Sequence, residues 1–292
     1  MLDLTDLRTV KSLLTYYNVS AQKSLGQHFL TDPTVLKQIL KAAELTKHDF
    51  VLEVGPGFGV LTFPIAELAG RVLAIETDKK VLGILKALGS GYPNLDVLPS
   101  NILKLNSRYI YDRYKRWAKL KSGKTSYKLV SNLPYYITSA ILKLFLETDL
   151  PPDLLVVMMQ QEVAERIVAK PGELSLLGIS VQFFGEPEII ARVPKTSFWP
   201  KPDVDSAIVR IRPFKKTPFD IDNTRLFFRI VKAGFGARRK QLHNSLSGGL
   251  GLDDALIFQL LAGAGIDPKL RPQDLALQQW AKLYHQFKKV LQ

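Results

Sequence analysis

The fold of this chain is decided by residues 50–59, FVLEVGPGFG, in which a short apolar run ends in three alternating glycines. A mostly apolar run of this length, bounded by glycine, predicts a buried strand of a parallel sheet. Because glycine has no Cβ, Gly55, Gly57 and Gly59 permit a tight turn and let a ligand approach the backbone closely. The stretch therefore predicts a strand, a ligand-binding loop and then a helix.

The same alternation of strand and helix continues on both sides of this loop. A helix predicted over about 60–69 leads to a second apolar run at residues 71–76, which completes a βαβ unit. Further strands are predicted near 95–98, 129–131, 154–159 and 207–211, and further helices over about 33–45 and 78–88. The pattern predicts an α/β fold, a doubly wound, Rossmann-like sheet with helices on both faces.

Strand patterns stop after a linker-like stretch at residues 213–218, and the rest of the chain has helical periodicity. We therefore expect two domains. Residues 1–213 form the Rossmann-like domain with its N-terminal lead-in, and residues 214–292 form a small all-helical C-terminal domain.

Composition and charge restrict the class of partner. The chain has 292 residues, with 40 Lys and Arg against 27 Asp and Glu, and a formal net charge of +13. This excess favours a polyanion, either nucleic acid or an anionic membrane surface. The absence of cysteine excludes disulfides and thiolate metal sites, and the four histidines lack metal-ligand spacing, so we expect no metal. No apolar run reaches the roughly 18 residues of a membrane span, so we expect a cytoplasmic protein without membrane contact.

The glycine spacing distinguishes between the known kinds of nucleotide loop. A dinucleotide fingerprint needs glycine at position 60, where Val60 stands, and no Gly-Lys-Ser/Thr follows as in a Walker A loop. Glycines in this spacing after an acidic strand end, Glu53, resemble the S-adenosylmethionine loop of class I methyltransferases. Glu76 ends the next predicted strand, where a carboxylate can accept hydrogen bonds from both ribose hydroxyls. The alternative, a turn that only joins strand to helix, does not explain Glu76.

A second motif, residues 132–136 (NLPYY), contains the groups needed to hold a flat base by its amino group. An adenine amino nitrogen is a poor nucleophile, so it needs acceptors that fix its N–H bonds and aim it at a methyl carbon. Asn132 offers a side-chain oxygen and Pro134 a backbone carbonyl, while Tyr135 can stack on the base and Phe198 can close the other side. A plain turn with core tyrosines is the alternative, and the preceding cofactor loop favours base holding.

Two stretches are rich in cations. Residues 104–128 hold nine Lys or Arg against one acid, with aromatic residues interleaved. They form either a nucleic-acid surface or an amphipathic helix whose aromatics face the core, and both interpretations stay open. Arg238, Arg239 and Lys240 open a predicted helix, where the helix dipole disfavours cations. A bound polyanion would offset that cost, so we predict that these three residues bind RNA.

Six stretches occur in a specific order along the chain. They are residues 26–30 (GQHFL), 51–57 (VLEVGPG), 132–137 (NLPYYI), 161–166 (QEVAER), 198–207 (FWPKPDVDSA) and 238–240 (RRK). In this order they resemble the KsgA family of small-subunit (16S) ribosomal RNA adenine N6,N6-dimethyltransferases.

The resemblance implies a substrate, a cofactor and a set of site residues. S-adenosylmethionine would be bound, together with Gly57 of the loop, by His28, Leu30, Gly55, Glu76, Asn101 and Asn132. Two adjacent adenosines in the 3′-terminal hairpin of small-subunit ribosomal RNA would each receive two methyl groups, with an immature small ribosomal subunit as the working substrate. We expect the protein to be a monomer.

This chain departs from the family pattern at two of these positions. The family often has asparagine where His28 stands and usually has aspartate where Asn101 stands. Asn101 can still accept from the adenine amino group through its amide oxygen, but without charge assistance.

Three other functions were weighed. A large-subunit ribosomal RNA adenine dimethyltransferase of the antibiotic-resistance type shares the fold and the chemistry, although residues 161–166 and 238–240 favour the small-subunit family. A ribosome-assembly binding factor whose catalysis is dispensable stays open. A small-molecule methyltransferase is disfavoured by the net charge of +13.

Overall fold

The computed structural model describes residues 2–19, 27–118, 127–237 and 239–291. The chain divides into two compact units, one formed by Met1–Ala164 with Glu186–Pro213 and the other by Glu165–Gly185 with Phe214–Gln292. Residues 165–185, which the sequence-based division at 213/214 puts in the first domain, group with the second unit.

The described strands are β1 (Phe29–Leu30), β2 (Phe50–Val54), β3 (Arg71–Glu76), β4 (Leu95–Pro99), β5 (Lys128–Asn132), β6 (Leu154–Gln160), β7 (Gly185–Val193), β8 (Phe198–Trp199) and β9 (Ser206–Pro213). The described helices before β9 are α1 (Leu7–Tyr16), α2 (Pro33–Ala43), α3 (Thr62–Leu68), α4 (Lys79–Leu88), α5 (Ser107–Ala118), α6 (Thr138–Leu146), α7 (Gln161–Val168) and α8 (Leu176–Phe184). After β9 come α9 (Thr224–Phe235), α10 (Leu242–Leu250), α11 (Asp254–Gly263) and α12 (Leu277–Leu291).

The main sheet has the strand order β4-β3-β2-β5-β6-β9-β7 within the described residues. Strands β2 to β6 pair in parallel, whereas β9 pairs antiparallel with β6. The order reverses direction between β2 and β5, and ligands of open α/β sheets bind outside the carboxyl ends of the strands at such a point.

The strand assignments confirm the predicted strands at 50–54, 71–76, 95–98, 129–131, 154–159 and 207–211.

Helices cover both faces of this sheet. Phe50 and Val51 are consecutive in β2, so their side chains point to opposite faces. Val51 packs in a core cluster with residues of α2 and α3, whereas the ring of Phe50 meets Tyr114 of α5 with centroids 5.6 Å apart. The predicted doubly wound α/β fold is confirmed.

Helix α5 decides part of the ambiguity at residues 104–128. Tyr114 and Tyr127 are 1% and 2% exposed, and Trp117 lies beside Phe50. Tyr114 and Trp117 of α5 thus face the core, as the amphipathic-helix interpretation predicts, and Tyr127 is buried just before β5. Residues 119–126 lie outside the described part of the chain.

The start of helix α2 follows from its local sequence, whereas strand β7 was not predicted. The side-chain oxygen of Asp32 accepts from Thr34 N at 2.9 Å and caps α2, with Pro33 at its first position. Strand β7 was missed, because an edge strand with most residues partly exposed lacks the continuous apolar run of the inner strands.

The second unit is built from helices around its own apolar core, which includes Phe183, Phe227, Trp280 and Phe287. On α12, Trp280, Leu283 and Phe287 form an apolar face that is fully buried. Among the described residues, no helix is both long enough and apolar enough to cross a membrane.

Candidate active site

A cavity opens in the first unit at the carboxyl ends of β2, β3, β4 and β5. Both sequence motifs reach it. Its lining includes the predicted cofactor residues His28, Leu30, Gly55, Gly57, Glu76 and Asn101 and the predicted base-holding residues Asn132, Pro134 and Tyr135. The fold thus brings two distant motifs to one site.

The glycine loop has the backbone conformation that its sequence predicts. Gly55, Gly57 and Gly59 have φ of 68°, 57° and 95°, in the left-handed region that favours glycine. The N–H of Gly55 donates to the carbonyl of Ile75 at 3.0 Å, which ties the loop to β3. A Cβ added to Gly55 would lie 3.3 Å from Cγ of Pro134, so the two motifs are in direct contact.

Glu76 lies at the end of β3, as predicted, and its carboxyl group is held in place. Its Oε1 accepts from Thr77 N at 2.7 Å and from Asp78 N at 2.9 Å. Burial raises the pKa of Glu76, while these backbone donors act in the opposite direction. The arrangement presents an oriented carboxyl group to the cavity.

Glu53, at the end of β2, is a site residue that the sequence analysis noted only as an acidic strand end. It lines the cavity and is 2% exposed, and its Oε2 has no hydrogen-bond partner among the described residues. Burial, with a smaller contribution from the nearby Glu76 carboxyl, raises the pKa of Glu53 to about 8. An unpaired buried carboxyl suits a ligand that carries positive charge.

Asn101 follows β4 and lines the cavity, but its amide oxygen already has one partner. Asn101 Oδ1 accepts from Leu103 N at 2.9 Å and so caps the short helical turn Ile102–Lys104. An amide oxygen has two lone pairs, so a second acceptor position remains for a ligand amino group.

Asn132 ends β5 and donates through Nδ2 to the carbonyl of His28 at 3.5 Å. Because the amide donates through its nitrogen, its oxygen keeps its acceptor capacity. The Pro134 carbonyl is less free, since it accepts from Ile137 N at 3.2 Å and from Thr138 Oγ1 at 3.3 Å. The Pro134 oxygen can accept from a target amine only if one of these two hydrogen bonds breaks or weakens to admit the new donor.

Tyr135 is half-buried and is held on two sides. Its ring stacks on His28, with centroids 5.8 Å apart and planes at 23°, and its hydroxyl lies 2.8 Å from Ser206 Oγ. Burial raises the pKa of Tyr135. His28 is fixed in turn, because its Nδ1 lies 2.7 Å from the Pro200 carbonyl oxygen.

Phe198 is the predicted site residue that the structure does not bring to the cavity. It is 3% exposed, pairs with Leu30 across the small sheet of β1 and β8, and packs in the apolar core of the first unit. The prediction that Phe198 closes the base pocket is therefore not supported. Phe198 instead packs in the same core cluster as Leu30, a contact that no local sequence pattern shows.

The predicted RNA-binding triplet lies in the second unit. Arg239 and Lys240 are exposed, and Arg238 lies outside the described residues. Lys240 lines a groove between α9 and α10 that also contains Arg225, Arg229 and Lys232. No acidic residue lines this groove, and none of these four cations forms an ion pair with another described residue.

The α9 cations were missed by the sequence analysis, although their spacing is a detectable signal. Arg225, Arg229 and Lys232 stand at i, i+4 and i+7, so they share one face of the helix, where like charges repel. Arg225 also lies in the first turn of α9, where the helix dipole disfavours a cation.

Comparison with known proteins identifies the family. The model of the ribosomal RNA adenine dimethylase family matches residues 18–289. The chain belongs to this family. Ribosomal RNA small subunit methyltransferase A of Dehalococcoides mccartyi strain BAV1 is 45% identical to it over 273 residues, which are 94% of this chain and 90% of that protein.

Two solved methyltransferase structures have a similar fold over most of this chain. A dimethyladenosine transferase from Plasmodium falciparum has a TM-score of 0.73 at 26% identity, over 89% of this chain and 97% of that chain. The 23S rRNA methyltransferase ErmE has a TM-score of 0.68 at 25% identity, over 89% and 99%.

The predicted family, fold class, enzyme class and methyl donor are confirmed. As a member of the ribosomal RNA adenine dimethylase family, the chain is an S-adenosylmethionine-dependent methyltransferase. The large-subunit alternative is not favoured, because the 45% identical relative is named for the small subunit, whereas ErmE shares only 25% identity.

Proposed function

We propose that this chain dimethylates N6 of two adjacent adenosines in the 3′-terminal hairpin of small-subunit ribosomal RNA. It acts on an immature small ribosomal subunit, as a monomer, in the cytoplasm. The observation that carries the proposal is that Asn132, Pro134 and Tyr135 line the same cavity as the glycine loop, in a chain of the ribosomal RNA adenine dimethylase family.

The residues at the cavity fit S-adenosylmethionine. Gly55 and Gly57 leave the backbone open to close approach, and Glu76 presents a fixed carboxyl for ribose hydroxyls. The unpaired Oε2 of Glu53 suits the positive charge of the cofactor. When bound, the cofactor supplies an electrophilic methyl group on a positively charged sulfur.

The base-holding motif performs the positioning. In this proposal the Asn132 amide oxygen accepts one N–H of the target amine, and the Pro134 carbonyl accepts the other after sharing one of its present donors. Tyr135, clamped by His28 and Ser206, presents a rigid ring edge or face to the base. The amine needs no strong base, because its proton becomes acidic as the new bond to carbon forms. Oriented acceptors of this kind can lower a barrier by several kcal/mol.

The second unit supplies phosphate contacts. Arg239 and Lys240, with Arg238, belong to the predicted triplet, and the α9 cations extend it along the groove. Four cations without acidic partners favour a polyanion, and phosphate contacts of this kind dominate RNA affinity.

Mass spectrometry of small-subunit ribosomal RNA provides the test. Unmethylated small subunits are incubated with the protein and S-adenosylmethionine, and the nucleosides of the 3′-terminal hairpin are mapped. Dimethyladenosine at two adjacent positions is the expected result. Methylation of large-subunit RNA instead, or of neither RNA, would overturn the proposal.

A further inference from the structure

Two consecutive tyrosines at the cavity have different surroundings. Tyr135 is half-buried, stacked on His28 and bonded to Ser206. Tyr136 lines the same cavity but is 64% exposed, and it makes no ring contact or side-chain hydrogen bond with the residues that the structure describes. One tyrosine is fixed by the protein, and the next presents a free ring beside the cavity.

Tyr136 shares the cavity lining with a second exposed apolar side chain, Leu103, which is 42% exposed. Each lies in a short helical turn, Tyr135–Ile137 after β5 and Ile102–Lys104 after β4. Single exposed apolar side chains are common on proteins. Tyr16 on α1 is one, at 81% exposure and outside the cavity lining. Leu103 and Tyr136 differ from it because both line the cavity that contains the base-holding motif.

Extrusion of the target base from its stack would explain why exposed apolar side chains line this cavity. A base that is modified inside a cavity must leave its stack. Its neighbour, joined to it by one phosphodiester, then lies outside the cavity with a newly exposed base face. Aromatic rings stack on any base, and tyrosine loses little side-chain entropy when it does so.

We propose that Tyr136 stacks on the base next to the target adenosine, with Leu103 as a second apolar contact. Tyr136 is thus a positioning residue for base capture, separate from Tyr135. This inference rests on the proposed function.

Three variants test this role: Tyr136→Ala, Tyr136→Phe, which keeps the ring, and Tyr16→Ala, a matched exposed tyrosine away from the cavity. Single-turnover methyl transfer to unmethylated small subunits is measured over a range of subunit concentrations, with cofactor affinity measured by calorimetry. Loss of one base–aromatic stack predicts about a 5- to 150-fold loss of transfer efficiency for Tyr136→Ala. Tyr136→Phe and Tyr16→Ala should stay within about twofold of wild type, and all three should bind the cofactor normally.

A substrate change identifies the base concerned. In small subunits reconstituted with an abasic site in place of the neighbouring adenosine, Tyr136→Ala should cause no further loss, because both changes remove the same contact. Additive losses, an unaffected Tyr136→Ala, or equal losses in Tyr136→Phe would overturn the inference. If one of these outcomes is found and wild-type protein still transfers methyl to intact small subunits, the proposed function stands and only the role of Tyr136 is overturned. If wild-type protein transfers no methyl, the proposed function and the role of Tyr136 are both overturned.

Discussion

Gly55 and Pro134, from two motifs far apart in the chain, touch each other at the cavity. A Cβ on Gly55 would lie 3.3 Å from Cγ of Pro134. The loop predicted to hold the cofactor therefore packs closely against the motif predicted to hold the base, and we expect a larger side chain at Gly55 to displace Pro134.

Gly55→Ala tests this link. The φ of 68° costs a non-glycine residue about 1–2 kcal/mol, and the added methyl group presses on Pro134. We expect lower thermal stability and weaker cofactor binding by calorimetry. Gly265→Ala is the control, because Gly265 has the same φ of 68° and a Cβ there meets no atom within 4 Å. Equal behaviour of the two variants would contradict the link.

Glu76→Gln should weaken S-adenosylmethionine binding about tenfold or more, since a hydrogen bond to a charged group contributes about 1.5–3 kcal/mol. Glutamine is preferred to alanine because its oxygen can still accept from Thr77 N and Asp78 N and so preserve the turn. Calorimetry measures the affinity, and circular dichroism checks the fold. An unchanged affinity in a folded variant would rule out the ribose role.

Asn132→Ala should slow methyl transfer about a hundred- to a thousandfold, the usual cost of removing one positioned transition-state partner. Subunit association should change little, because phosphate contacts dominate RNA affinity. The measurement is single-turnover transfer of labelled methyl. Cofactor affinity is followed in parallel, since the variant also loses the bond to the His28 carbonyl. A near-wild-type rate would show that the motif does not hold the base.

Arg225→Glu with Arg229→Glu should weaken association with small subunits and flatten its salt dependence, because each phosphate contact adds about one to the slope of log affinity against log salt. Cofactor affinity should not change. Lys37→Glu with Lys41→Glu is a matched control, since these exposed lysines of α2 have the same spacing and charge change. Equal salt slopes for both double variants would place the RNA surface elsewhere.

Glu53 should make the cofactor-free protein less stable as pH rises. Its pKa is raised from an ordinary value of 4.5 to about 8, so the folded state binds more protons than the unfolded state between these values. The stabilisation from the neutral carboxyl is complete below about pH 4.5 and is lost as pH rises through about 8.

Glu53→Gln should therefore gain melting temperature relative to wild type as pH rises from 5 to 8, by an amount equivalent to at most a few kcal/mol. Thermal melts across this range measure the difference. Glu186→Gln, at an exposed glutamate of the first unit, serves as the control. If the melting temperatures of Glu53→Gln and wild type differ by the same amount at every pH, the raised pKa of Glu53 is contradicted.

Local sequence determined six strands of the main sheet, the glycine loop and the place of Glu76 at the end of β3. These features depend on nearest neighbours, because an apolar run, a Cβ-free turn and a strand end are each encoded within about ten residues. The order of motifs was also enough to indicate the family, which comparison with known proteins confirmed.

Only the tertiary structure decided which side chains meet. Phe198 is buried among apolar side chains of the first unit, and Glu53 is buried at the end of β2 with its Oε2 atom lacking a hydrogen-bond partner among the described residues. Tyr135 and Tyr136 are adjacent residues of the same type, yet Tyr135 is held against His28 whereas Tyr136 is exposed. The contacts that hold Phe198 and Tyr135 come from residues more than fifty positions away, so no local pattern could specify them.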